Sequence, residues 1–289
     1  MASTDHQFAP LRCPSCTGDL VWRDDTVRCT DCGESIPVVD GISQFPVADD
    51  DSETTAFFDR LSPIYETPLW FPVLYRVIGG PFAPLDDRRV VAEFLEPGGA
   101  DLSDPARADA PDTAGAEVPH TADDGVPDTA GVDVLDVACG TGRFTRYVAD
   151  DAAFVWGIDT SDGMLRRARR SADRAGHVNV AFARMDATAL QFHADAFDRV
   201  ACCWALHLFP DVAEALAEIR RVLKPGGRFA GTTLTDDALL AIPGTKQGLQ
   251  TAMGAAVFDA DELRAALGAA GFSRATFDRR GAALFFGAQ

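Results

Sequence analysis

From residue 132 onward, apolar runs of strand length alternate with helical patterns, and this alternation restricts the fold more than any other feature of the chain. The runs are VDVLDV (132–137), AFVWGID (153–159), NVAFARMD (179–186), FDRVACC (197–203) and GRFAGTTL (227–234). Helical patterns at 144–150, 161–175 and 211–223 separate them. The last of these opens on a capping box, Asp211-x-x-Glu214, and is expected to stop at Lys224-Pro225-Gly226-Gly227. A second box, Asp259-x-x-Glu262, opens a helix ending at Gly271. Segments 273–277 and 282–286 flank Arg279-Arg280-Gly281 and read as a hairpin. The pattern predicts an α/β fold over 132–289: a Rossmann-like, doubly wound parallel sheet with an antiparallel C-terminal hairpin.

The first strand runs into a glycine loop, LDVACGTGRF (135–144). Asp136 ends the strand, and Gly140 and Gly142 allow a ligand to approach the backbone closely. The second strand ends in Asp159, placed to accept ribose hydroxyls, and the third near Asp186 and Ala187. A pyrophosphate fingerprint needs a third glycine, but that position holds Thr145. The expected ligand therefore carries a ribose and an adenine-like amine without a run of phosphates.

Upstream, Cys13, Cys16, Cys29 and Cys32 form two Cys-x-x-Cys knuckles. In a chain read as cytoplasmic, this spacing predicts a Zn²⁺ site, with redox thiols as the alternative. Four thiolates fill a tetrahedron and leave no position for substrate, so the metal would be structural. The stretches 20–22 and 26–28 form a short hairpin between the knuckles, and 36–46 reads as one more extended segment around Asp40-Gly41. Expected domains are a zinc ribbon (1–48), an aromatic-rich helical lid broken by prolines (49–98), a disordered acidic insertion (99–131) and the Rossmann-like domain (132–289). The insertion repeats PDTAG at 111–115 and 127–131 and has little to bury.

Charge says less about partners. With 44 acidic and 26 basic residues among 289, the net charge is −18. That balance either repels nucleic acid and anionic membranes or reflects a halophilic, high-salt adaptation, which the near absence of Lys beside Arg favours. No apolar stretch is long enough to predict a membrane span, and the first ten residues do not resemble a signal peptide.

The blocks LDVACGTG, GIDTSDGML, ARMDATALQF, FDRVACCWALHLF and RVLKPGGRF, in this order and spacing, resemble class I S-adenosylmethionine-dependent methyltransferases of the small-molecule type. The resemblance implies that Asp136, Gly140 and Gly142 meet the amino-acid end of the cofactor. It also implies that Asp159 holds the ribose, Met164 packs near the adenine, and Asp186 with Ala187 meets the adenine edge. FFDRLSPIYE (57–66) resembles the segment that folds over the cofactor in quinone-type methyltransferases. The cysteine module and its IPVVDGI tail resemble the zinc modules of tRNA-methyltransferase activators. Ribbon followed by methyltransferase resembles the 23S rRNA guanine-N1 enzymes, although their fourth zinc ligand is usually His and here it is Cys32.

A small-molecule or lipid-like acceptor is the leading expectation, with RNA second and a non-catalytic, partner-binding role third. No Asn/Asp-Pro-Pro-Tyr follows the fourth strand and no Pro-Cys nucleophile is present, so neither the adenine-amine nor the pyrimidine-C5 arrangement is expected. His207 is the candidate general base, or else a backbone-bonded structural residue. Tyr65 is read either as lining the pocket or as packing. Cys139, Cys202 and Cys203 are read as small core residues. The arginines at 166, 167, 169, 170 and 174 form either an RNA face or a solvated one.

Overall fold

The computed structural model describes residues 10–23, 26–48, 53–63, 65, 87–96, 131–235 and 257–289. Most of the predicted lid and nearly all of the 99–131 insertion therefore lie outside the described residues.

The cysteine module contributes β1 (Leu20–Arg23), β2 (Thr26–Cys29), β3 (Ser35–Val39) and β4 (Ile42–Gln44). Helices α1 (Glu53–Leu61) and α2 (Asp87–Leu95) precede the alternating region. That region runs β5 (Asp133–Val137), α3 (Arg143–Ala149), β6 (Phe154–Asp159), α4 (Asp162–Ala175), β7 (Val180–Arg184), β8 (Phe197–Cys203), α5 (Val212–Val222) and β9 (Leu223–Leu234). It closes with α6 (Ala260–Ala269), β10 (Ala275–Arg280) and β11 (Ala283–Ala288).

All eleven strands lie in one sheet, ordered β1-β2-β3-β4-β7-β6-β5-β8-β9-β11-β10. Strands β5 to β9 pair in parallel, and β11 and β10 add antiparallel at the end. Inner strands covered on both faces must be apolar on both faces. In β5, accordingly, Val134 packs toward α2, α3 and α4, while its neighbour Leu135 joins the cluster containing Leu216, Ile219, Leu263 and Leu267 of α5 and α6.

Local sequence explains the helix starts. Ser161 accepts a hydrogen bond from the Met164 amide at 3.1 Å, and Asp211 accepts from Glu214 at 2.9 Å. Asp259 and Glu262 form a reciprocal capping box at 2.7 and 3.1 Å.

Three boundaries differ from expectation. The 36–46 segment is two strands rather than one, turned by Asp40 and Gly41 at φ +54° and +74°. Residues 224–227 belong to β9, which starts at Leu223 as α5 ends, with Gly226 at φ +78° and a register shift opposite Phe197 and Arg199. The last hairpin turns at Gly281, φ +61°, and Ala282, so its strands lie later than predicted.

β4 is not confined to the cysteine module. It pairs in parallel with β7 through Ile42↔Phe182, Ser43↔Ala183 and Gln44↔Arg184, and covers what would otherwise be an open sheet edge. Beyond it, Phe45 is 1% exposed and donates its amide to the Arg184 carbonyl at 3.0 Å. Leu11 bridges to Phe192, and the amides of Arg12 and His193 bond Gln191 and Pro10 across the same junction.

Candidate cofactor site and candidate metal centre

The strand order reverses at β5: β6 and β7 lie on one side and β8 and β9 on the other. In open α/β sheets a crevice forms outside the carboxyl ends at such a switch point, and ligands bind there. Asp136 is the penultimate residue of β5, Asp159 the last of β6, and Asp186 lies two residues past β7, so three carboxylates gather at one edge of the sheet.

Each carboxylate has its own setting. Asp136 is 1% exposed and accepts the Thr145 hydroxyl at 2.6 Å; burial nevertheless pushes its carboxyl up to about 7. Asp159 is half-buried, accepts the Gly140 amide at 2.8 Å and the Ser161 amide at 2.9 Å, and is raised by burial against those bonds. Oδ1 of Asp186 takes both the amide and the hydroxyl of Thr188, at 2.9 and 2.8 Å. Ala187 is buried beside it, and Met164 lies buried in the first turn of α4.

The glycine loop meets these acids. Gly140 has φ +55°, and among the described residues a Cβ built on it would find only Tyr65 Cε1, at 4.0 Å, so these residues leave the loop backbone open on that flank. At Gly142, φ +71°, a Cβ would sit 3.0 Å from that of Ala168, so close packing of the loop on α4 also requires glycine here.

Above the loop lies a cavity of about 50 Å³ bounded by Tyr65, Asp87, Asp136, Gly140, Arg143 and Trp204. Asp87, which sequence reasoning missed, is 2% exposed at the start of α2. It accepts Nη2 of Arg143 at 2.8 Å and Nε1 of Trp204 at 3.1 Å. Nearby, α1 lays Asp59 across the start of α4, where it accepts the Gly163 amide at 2.8 Å and the Ser161 hydroxyl.

His207 sits elsewhere. It lies 5% exposed in a 3-10 turn, with Nδ1 3.4 Å from the Thr233 hydroxyl, and it does not bound the cavity. Burial lowers its imidazole to about 4, which keeps it neutral and weakly basic near pH 7. This geometry favours the structural alternative for His207. Cys202 is buried within β8, where burial raises its thiol, whereas Cys139 and Cys203 reach the cavity.

The sulfur atoms of Cys13, Cys16, Cys29 and Cys32 all lie within 4.8 Å of one another. Cys13 and Cys32 are 3.6 Å apart, and Cys16 and Cys29 are 3.4 Å apart. A tetrahedral zinc with sulfur at about 2.3 Å holds its sulfurs about 3.8 Å apart, so the set could hold one such ion. The Ser15 and Asp31 amides point at Cys13 and Cys29 sulfur, each at 3.4 Å, and would support thiolates.

Several known methyltransferases are similar to parts of this chain. Demethylmenaquinone methyltransferase of Listeria welshimeri is 37% identical over 120 residues, covering 40% of this chain and 50% of that protein. The enzyme of the same name from Clavibacter sepedonicus is 42% identical over 99 residues, 34% of this chain and 40% of its own. The chain thus spans half or less of the length of these curated relatives. Phosphoethanolamine N-methyltransferase 2 of Haemonchus contortus, solved with S-adenosyl-L-methionine, superposes with a TM-score of 0.53 at 18% identity. That superposition covers 77% of this chain and 45% of the other, and shows the fold alone. Residues 134–227, which hold the glycine loop and all three strand-end acids, match the family profile of the methyltransferase domain, Methyltransf_25.

Proposed function

We propose that this protein is an S-adenosylmethionine-dependent methyltransferase acting on a small-molecule or lipid-like acceptor. The observation that carries the reading is the line of Asp136, Asp159 and Asp186 at three adjacent strand ends beside a positive-φ glycine loop. Bound there, the cofactor would supply an activated sulfonium methyl: the acceptor takes the carbon, and the electron pair of the broken C–S bond stays on sulfur. Asp159 would accept the ribose hydroxyls. Asp136 would pair with the amino-acid end, whose ammonium favours the ionised carboxylate. Asp186, with Oδ1 already held by Thr188, would offer Oδ2 to the adenine amine, with Ala187 and Met164 against the ring. The open flank of Gly140 admits a ligand to the backbone. In this reading the chain's own task is orientation and exclusion of water. The activity for which the Listeria and Clavibacter proteins are named supports a lipid-like acceptor.

We further propose that the four cysteines hold structural Zn²⁺. Elemental analysis should find about one zinc per chain, lost on Cys32→Ser; a zinc-free folded protein would contradict this.

Transfer of labelled methyl groups into cell extract, separated into RNA, protein, lipid and small metabolites, tests the acceptor. Label in lipid or metabolites is expected. Label in RNA would overturn that choice and direct attention to the exposed row Arg166, Arg170 and Arg174 on α4. Label in no fraction, with cofactor still bound, would favour the partner-binding role.

A further inference from the structure

Thr160 and Ser161 join Asp159, the last residue of β6, to the start of α4. Ser161 is 1% exposed and makes three bonds in this turn. Its amide donates to Asp159 Oδ1 at 2.9 Å, its hydroxyl accepts from the Met164 amide at 3.1 Å, and the same hydroxyl donates to Asp59 Oδ1. Asp59 belongs to α1, 102 positions earlier in the chain. Its Oδ1 also accepts the Gly163 amide at 2.8 Å. One carboxylate oxygen of α1 thus grips the turn between Asp159 and Met164 at two points. Bonds to an ionised acceptor are the stronger kind.

The seat of α1 on this turn is close. A Cβ on Gly163 would lie 3.2 Å from the Asp59 Cα. Thr55, one helical turn before Asp59, has its hydroxyl 3.2 Å from that of Thr160. Burial raises the Asp159 carboxyl, and the nearby charge of Asp59 adds to that rise. We propose that Asp59 is a positioning residue for the cofactor: through Ser161 it fixes the orientation in which Asp159 accepts the ribose hydroxyls. Side chains that contact a ligand hold their aim only when the groups behind them are themselves locked. Docking of α1 is thereby coupled to recognition of the ribose. This rests on the methyltransferase reading, and it adds a residue outside the 134–227 stretch that matches the family profile.

The test titrates S-adenosylhomocysteine and its 2′,3′-dideoxy analogue into full-length wild type, Asp59→Ala and Asp59→Asn. The two ligands differ only in the hydroxyls that Asp159 would accept. Wild type should prefer the ribose form by about tenfold or more, as expected for hydrogen bonds to a charged group. Asp59→Ala should cut that preference to about twofold and leave affinity for the dideoxy analogue within about twofold of wild type. Asp59 is exposed and Ser161 keeps its bond to Met164, so the variant is expected to melt cooperatively. Asp59→Asn keeps an oxygen acceptor and should retain most of the preference. An unchanged preference in Asp59→Ala, a loss shared equally by both ligands, or an Asn variant no better than Ala would each overturn the assignment. Wild type that binds neither ligand, or both equally, would instead strike the methyltransferase reading and its placement of the ribose at Asp159.

Discussion

Asp136, next to last in the central strand, is almost fully buried, and its carboxyl is raised from an ordinary value near 4 to about 7. Between those values the folded chain keeps a proton that the unfolded chain has released. The stability contributed by this group is therefore complete below about pH 4, falls as pH rises, and is lost above about 7. Asp136→Asn keeps an acceptor for the Thr145 hydroxyl without the charge. Thermal melts should show it more stable than wild type at pH 8 and similar at pH 4; an unchanged difference between the two would contradict the burial account. If Asp136 pairs with a cationic ligand group, wild-type cofactor affinity should also strengthen from pH 6 to 8, and that of the Asn variant should not.

At the scale of elements, β4 belongs to two structures at once, pairing with β3 inside the cysteine module and with β7 in the core sheet. Ser43, 3% exposed, sits in both ladders. Ser43→Pro removes a backbone donor from a strand with neighbours on both sides and should cost about 3 kcal/mol in urea unfolding. A loss under about 1 kcal/mol would show that the pairing contributes little. Elements like β5, α4 and α6 were readable because their signals are local: a two-residue period, a cap, a glycine loop. The docking of β4 was not, since nothing within 36–46 names its partner. The same holds for Asp87, whose bonds reach Arg143 across 56 positions and Trp204 across 117. The three strand-end acids could be found because each lies at or beside the end of its run, whereas the switch-point cavity needs the strand order. His207 was proposed from its place just after β8, and only the fold reveals that it is buried against Thr233.

For the whole molecule, the cysteine module and the alternating domain form one continuous sheet. Their junction brackets the 185–193 segment that carries Asp186, through Phe45 to Arg184 at one end and Pro10 to His193 at the other. On α5, Glu218 accepts the Leu190 amide at 2.9 Å and lies 3.7 Å from Arg12, tying the same segment from a second side. Chelating the proposed zinc should therefore lower the melting temperature and weaken S-adenosylmethionine binding together. Intact binding after metal loss would separate the two. The net charge of −18 adds a general repulsion that salt screens, so the melting temperature should rise from 0.1 M KCl and level off near 1 M, where the screening length has fallen to about 3 Å; a flat profile would contradict this.

The most direct test of the account is calorimetric titration of S-adenosylmethionine into wild type and Asp159→Ala. Saturable binding at one site per chain, lost in the variant while its melting curve stays cooperative, is the predicted result. Equal affinity in both proteins, or no binding by wild type, would contradict the placement of the cofactor along the ends of β5, β6 and β7.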